Sequence, residues 1–364
     1  MTGTPGRNTY RVTYSFHIHN PAEFSDDEIA EGVAYGNLFQ LEVLPDDPPT
    51  TIEDALAAHK TRPERLRRTS VRVRDAEGNL VASTGIRIDP EYDDNPDMIG
   101  GSVNVLAAHR RNGIGTKLFA YLIALAQREN RIRIIGGTNE RIPAGAAFAQ
   151  AIGAESKQEM HMNHLPIDEV DRALMEQWVA EGPVRAADYE LFGWDGSVPE
   201  EYMEKYLATV LIMNTAPRDD LEMNDFTLTA EEVREGEKQM HAIGIEHWTL
   251  VARRKADGVW AGFHDMSWVP SDPANIYVGA TGVDPDHRGH ALGKWLKAAM
   301  QLRVLDERPQ VNDVRTGNAD SNDAMLGINK LMGYRPLIGS TTWEISTEKA
   351  AAWLAEKGIE LPAV

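Results

Sequence analysis

The sequence predicts an α/β fold with mixed (α+β) sheets, built twice in tandem. Three observations carry that expectation. At 364 residues and 40.4 kDa the chain is too long for one average domain and suits two. Segments of alternating hydrophobicity interleave with segments of helical period in both halves. A strand, a glycine-bearing turn and a helix follow one another at Val105–Gly115 and again at Val283–Gly293, with the same order of elements on either side. The division places a first domain over 1–166 and a second over 167–364, the latter opening with an acidic helical stretch over about 167–246.

The elements follow from local signals. Thr2 to Gly6 reads as a loose leader, and Val12, Tyr14, Phe16 and Ile18 alternate with polar residues as a strand does. Ser25-Asp26-Asp27-Glu28 and Thr51-Ile52-Glu53-Asp54 are helix starts. Val71–Asp75 and Leu80–Ile88 flank a Glu77-Gly78-Asn79 turn and predict a hairpin. Ile99–Leu106 is a strand running into the turn, and Leu118, Leu122 and Leu125 stripe a helix from Thr116 to Gln127. A strand at Ile132–Ile135, an alanine-rich helix at Pro143–Ile152 and a strand near Met160 close the first half. In the second half His247–Arg253 and Val259–Trp268 form a hairpin, Ile276–Val283 a strand and Lys294–Leu305 a helix. Val311–Thr316, Asn322–Leu331 and Thr341–Ile345 then read strand, helix, strand.

Composition excludes several classes of function. Lys and Arg number 37 against 56 Asp and Glu, a net charge of -19, which opposes sequence-tolerant nucleic-acid binding. With no cysteine, disulfides, thiolate-held metals and a cysteine nucleophile are all ruled out. Uncharged apolar runs fall short of a membrane span and no signal-peptide core precedes Tyr10, so a cytoplasmic protein with no membrane or nucleic-acid partner is expected. Between Leu165 and Glu246 there are 20 Asp and Glu against 6 Lys and Arg. This stretch is either a set of solvated helical faces or an acidic rim that concentrates a cationic acceptor.

The chemistry is expected at the two turns. Glycines free the backbone there, and N–H groups at the start of the following helix converge on a point of positive potential suited to a pyrophosphate. Neither turn is a P-loop or a dinucleotide fingerprint, since no Gly-Lys-Ser/Thr follows and a third glycine is missing at Leu118. Arg110, Gly113 and Gly115 instead resemble the Gln/Arg-x-x-Gly-x-Gly/Ala acyl-CoA loop of the GCN5-related N-acetyltransferases. Arg288 and Gly293 match it in the second copy, with Ala291 for the middle glycine. Thr316 to Asn322, with Met325, Asn329 and Gly333-Tyr334, resembles the family's next strand and helix; Thr138-Asn139 through Phe148 to Gly153-Ala154 does so more loosely. The two-domain arrangement resembles that of tandem acetyltransferases such as mycothiol synthase.

The resemblance implies acetyl-CoA, or another acyl-CoA, as co-substrate and no metal. It places the pantetheine arm against Val105 and Val283. It places the pyrophosphate on the N–H groups of Arg110, Arg111, Asn112, Gly113, Ile114 and Gly115, and of Arg288, Gly289, His290, Ala291, Leu292 and Gly293. Asn318, Asn322 and Asn329 offer amides near the cofactor. The family's thiolate-protonating tyrosine falls on Ala149 and Asn329, so that proton must come from water, the acceptor or another side chain.

With no cysteine to form an acyl-cysteine intermediate, direct attack of an amine on the thioester is expected. An amine of pKa about 10.4 costs roughly 4–5 kcal/mol to deprotonate at pH 7, one near 7.7–8.0 only about 1, so the acceptor decides whether a base is needed. Glu246, His247, His264 and Asp265 are the candidates, with His264-Asp265 foremost because adjacent strand residues face opposite ways and one must meet the ligand. His17-x-His19 and His161-x-x-His164 lack a carboxylate cluster that would complete a metal site. Tyr189, Phe192, Trp194 and Tyr202, with Pro199, either pack between domains or line an acceptor pocket. The expected function is acetyl-CoA-dependent N-acetylation of a small, cationic amine such as an amino sugar or aminoglycoside, with the second half favoured as catalytic. Protein or peptide N-acetylation and non-catalytic acyl-CoA binding are the alternatives, and the oligomeric state is open.

Overall fold

Ser25 and Thr51 start helices because their hydroxyls accept the N–H three residues on; Ser25 and Glu28 close a full capping box. In the computed structural model, which describes residues 13–364, the first half runs β1 (Ser15–His19), α1 (Asp26–Val43), α2 (Ile52–Thr61), β2 (Arg67–Arg74), β3 (Leu80–Ile88) and β4 (Met98–Val105). It continues through α3 (Ile114–Arg128), β5 (Arg133–Asn139), α4 (Pro143–Ala151) and β6 (Glu155–Pro166). Next come α5 (Arg172–Arg185), β7 (Tyr189–Asp195), α6 (Met203–Val210), α7 (Ala230–Ala242), β8 (Glu246–Arg254), β9 (Trp260–Val269) and β10 (Asp272–Val283). Finally α8 (Leu292–Glu307), β11 (Asp313–Ala319), α9 (Asp323–Met332), β12 (Arg335–Ser346) and α10 (Thr347–Glu356) complete the order. The leader and the strand residues before Thr13 lie outside the described residues. Inside the acidic stretch, β7 was not anticipated: its Tyr189, Phe192 and Trp194 belong to a strand paired with β8.

The two halves share one sheet of twelve strands, ordered β1-β2-β3-β4-β5-β12-β6-β11-β10-β9-β8-β7. The join is an exchange. The final strand β12 pairs antiparallel with β5 of the first half, and β6 pairs with β11 of the second. The helices that follow are exchanged too. Ile345, Ala350 and Leu354 enter the apolar core formed by Phe119, Leu122 and Ile123 of α3. Met175 and Trp178 of α5 join Ala298, Met300 and Val304 of α8, and Gly182 of α5 leaves room for the Trp295 ring, which any β-carbon would strike. Across the opposite face a two-pronged ion pair, Arg315 Nη1 and Nη2 to Asp47 at 2.6 and 2.7 Å, ties the α1–α2 connection to β11.

The glycine turns sit where parallel strands part. β4 pairs with β5 only over Met98–Gly100 and Arg133–Ile135, and β10 with β11 only over Asn275–Tyr277 and Asp313–Arg315. Beyond those residues each pair splays, so the edges of β4 and β10 next to the turns face no partner strand on that side.

Candidate active site

The two turns have the same backbone. Arg111 and Gly113 take positive φ (+64° and +78°) in the first, and Gly289 and Ala291 (+87° and +59°) in the second. Ala291 thus keeps a conformation in which glycine would be unstrained. Neither α3 nor α8 has a side-chain cap, unlike α1, α2, α7 and α10, so their leading N–H groups stay available to an anion. The arginines brace the turns from behind. Arg110 Nε donates to Val105 O at 2.9 Å and Arg288 Nε to Val283 O at 3.2 Å, while Arg110 also pairs with Glu42 and Arg288 with Thr215. Those two carbonyls are therefore taken by guanidinium groups. Asn112 donates to the carbonyls of His109 and Arg110, and Ile114 and Leu292 are buried anchors. His290 lies against the Tyr189 ring.

In the first half the splay opens into a cavity of about 500 Å³. It runs from Arg110, Arg111, Gly113 and Gly115 past Val103 and Val105 to Gly136, Thr138, Phe119, Phe148 and Ala149. Small residues leave the room: Ala144, Gly145, Ala147, Ala149 and Ala151 of α4, with Gly101, Gly136 and Gly137 on the strands. The exchanged strand supplies one wall through Trp343 and Ile345, and the Trp343 indole donates to Thr138 Oγ1 at 2.8 Å. Among the described residues, the ionisable side chains on its lining are His109, Arg110 and Arg111. That suits an anion but supplies no carboxylate to take up a proton.

The second slot differs in filling. Where the first has Phe119, Gly136, Ala149 and Ala154, the second has Lys297, Thr316, Asn329 and Tyr334. A β-carbon on Gly293 would meet Ile328 of α9 at 3.4 Å, so α9 lies close over this turn. Asn329 Nδ2 donates to Asn318 Oδ1 at 2.7 Å, which ties α9 to β11, and Asn322 caps α9 by accepting from Met325 N. All three asparagines thus have structural partners.

The candidate proton-handling residues separate. His264 is 1% exposed, faces α8 and lies 2.8 Å from Thr281 Oγ1 through Nδ1. Burial, and then the Lys297 charge, holds its pKa well below the usual imidazole value. Asp265 faces the other way, toward α6. Its Oδ1 accepts from Ala280 N at 3.2 Å, on an irregular stretch of β10 between Val278 and Thr281, and lies 3.5 Å from His247 Nε2. Gly279 must be glycine there, since a β-carbon would collide with that carboxylate. Gly279 and Ala280 correspond to Gly101 and Ser102, which line the first cavity. Glu246 stands at the start of β8 and is paired with Arg308. The structure therefore couples Asp265 to His247 and sets His264 on the opposite face.

The remaining candidates also find their places. His161 Nδ1 lies 2.7 Å from Asp320 Oδ1, and His164 faces Asp313 from the other side of β6. Phe192, Trp194, Tyr202, Tyr206 and Trp260 stack into one aromatic cluster inside the second half, where packing between domains was one expectation. Much of the acidic excess is matched by arginine, as in Glu237–Arg234, Asp195–Arg303 and Glu190–Arg253, and Glu235 reaches Arg65 of the first half. Sequence reasoning missed Trp343 and Lys297, and gave Tyr334 only as part of the family resemblance. For Lys297 a signal existed, a lone charge on the buried stripe Gly293–Lys297–Met300–Val304 of α8.

Residues 37–153 match the model of the acetyltransferase (GNAT) family. The whole chain is similar to a tandem GNAT protein from the clavulanic acid biosynthesis pathway, at 25% identity and a TM-score of 0.73, over 92% of this chain and 99% of that one. It shares its fold with a GCN5-related N-acetyltransferase from Sphaerobacter thermophilus (10% identity, TM-score 0.61, 91% and 96% covered). The same holds for a glucosamine N-acetyltransferase region in a fungal multi-domain GH3 beta-N-acetylglucosaminidase (13%, 0.60, 92% of this chain and 38% of that one). No curated protein matches the sequence. The chain thus carries a GNAT family match over residues 37–153 and, along its length, the fold of a tandem GNAT protein. Among the described residues no helix is long and apolar enough to cross a membrane.

Proposed function

We propose that this protein is an acetyl-CoA-dependent N-acyltransferase for a small amine, in which the first half retains acyl-CoA and the second half performs transfer. The observation that carries the acyl-CoA reading is the first half's cavity, which joins an uncapped helix start to a splayed parallel strand pair. The amides after Arg110 hold the pyrophosphate, and the edge of β4 lies along the pantetheine arm. The second turn repeats the geometry, so the same division of domains, 1–166 and 167–364, serves two acyl-CoA sites.

The second half takes the chemistry because it carries a carboxylate, Asp265, next to the strand that runs into the turn, whereas the first cavity's lining has none. Asp265, oriented by Ala280 N and His247, receives the proton of the acceptor amine on the α6 side of the sheet. The acceptor is a cation, drawn by the acidic residues that precede β8 and left uncharged by the time it attacks. The test is free-thiol release from acetyl-CoA with kanamycin, glucosamine, spermidine and an alanine-led peptide as acceptors. Release driven by the first three supports a small-amine transferase. Release driven only by the peptide would move the reading to peptide acetylation, and binding without release would make the protein an acyl-CoA binder.

A further inference from the structure

Resting on the transferase reading above, we propose that Lys297 is the general acid of the second half, donating its proton to the departing coenzyme A sulfur. The sequence leaves this role vacant, because the family's tyrosine is replaced by Asn329. The structure offers one group to fill it. Lys297 is 2% exposed, and its Nζ has no hydrogen-bond partner among the described residues. Buried lysines ordinarily sit against a carboxylate, and an unpaired one is costly, so its retention calls for a use.

Its position supplies that use. Lys297 occupies the place on α8 that Phe119 occupies on α3, and Phe119 lines the first half's cavity. Phe119 meets Phe148 of α4 at 5.7 Å between ring centroids, so this position of the third helix faces the fourth across the slot. In the second half the facing helix brings Asn329, whose Oδ1 is likewise buried without a partner. Tyr334, in place of the cavity-lining Ala154, sets its ring 5.2 Å from Lys297 Nζ and steadies the ammonium without taking its proton.

Transfer then balances as follows. The acceptor ammonium first loses one proton to solvent; Asp265 takes a second as the amine nitrogen forms a bond to the thioester carbonyl carbon, and later releases it to solvent. The carbon–sulfur bond breaks with its electron pair on sulfur, Lys297 Nζ gives sulfur a proton, and the neutral amine of Lys297 is reprotonated from solvent. Burial lowers the Lys297 pKa to about 8, close to an ordinary thiol's value of about 8.5, so the proton moves between matched groups. The titratable groups around it are His264 of β9 and Tyr334 of β12, with Asp313 of β11 acting on Tyr334. Burial holds the first well below the usual imidazole range and raises the second.

The experiment is the pH dependence of thiol release from acetyl-CoA by the full chain, with whichever of kanamycin, glucosamine or spermidine turns over fastest. Wild type should lose kcat above an alkaline limb near pH 8, as Lys297 gives up its proton. Lys297→Met should cut kcat by about 10²–10⁴ and abolish that limb, while calorimetry shows acetyl-CoA affinity within about threefold of wild type. Lys297→Gln, which fills the slot with a polar side chain, should behave alike and covers the case in which the methionine variant misfolds. A kcat within threefold of wild type with the limb retained overturns the proposal. So does a parallel loss of affinity and kcat with the limb retained, which is what a structural role would give. No thiol release by wild type overturns the transferase reading itself, and this proposal with it.

Discussion

At the scale of single residues, the second half stands out for two groups on opposite faces of its sheet. Asp265 accepts from Ala280 N on the irregular part of β10, and Lys297 is buried on α8. If Asp265 is the base, Asp265→Asn should lower kcat by about 10²–10⁴ and leave acetyl-CoA affinity intact, by steady-state kinetics and calorimetry. Lys297 also makes a prediction about stability. Its pKa falls from 10.5 to about 8 on folding, so between those values the unfolded chain binds more protons. The penalty for burying it is fully present below about pH 8 and fades as pH rises toward 10.5. Lys297→Met should therefore be the more stable protein at pH 7, by on the order of 3 kcal/mol, with the gap narrowing by pH 10 in denaturant titrations.

These residues were legible to different degrees. Asp265 was visible as half of an adjacent pair on a strand, and the rule of alternation left open which member met the ligand. Its partner His247 comes from the neighbouring strand, and register between strands is not written in either segment alone. Lys297 shows in the sequence only as a charge on an apolar stripe, and its lack of a partner depends on everything packed around it.

At the scale of elements, the two turns share positive-φ positions and uncapped helices yet differ in what covers them. Their location was plain from sequence, since glycine spacing, strand and amphipathic helix coincided. The difference was not, because it lies in α4 and α9: alanine and glycine on one, Ile328 and Asn329 on the other. Ile328 of α9 lies within contact range of Gly293, whereas the first turn opens on a cavity of about 500 Å³, so on the proposed reading the first turn should carry most of the measured affinity. Gly113→Val, which forces a β-branched residue to φ near +78°, should abolish the tighter of two calorimetric binding events. Loss of the weaker event instead would reverse the assignment of the two slots.

At the scale of the molecule, the exchange of β6 with β12 makes the halves interdependent. The periodicity predicted nearly every strand of each half, but pairing order across the middle of the sheet arises from the exchange of β6 and β12, which no local pattern encodes. Without residues after 166, β5 would lose its partner β12, and the α3 core would lose Ile345 and Leu354, each contributing roughly 1.5–3 kcal/mol of apolar burial. Residues 1–166 expressed alone should be insoluble or unfolded by circular dichroism, and co-expression with residues 167–364 should recover a soluble complex. A folded monomeric 1–166 would show that the exchanged strand is dispensable.

The proposed division, with acyl-CoA held in one half and transferred in the other, is the central claim. It is tested most directly by turnover of Gly115→Val and Gly293→Val, followed as thiol release from acetyl-CoA with kanamycin at two ionic strengths. The account predicts that Gly293→Val loses at least a hundredfold in kcat/KM while Gly115→Val turns over with reduced acetyl-CoA stoichiometry, and that added salt raises KM for the cationic acceptor. Activity abolished by Gly115→Val alone, with Gly293→Val at wild-type rates, would contradict it.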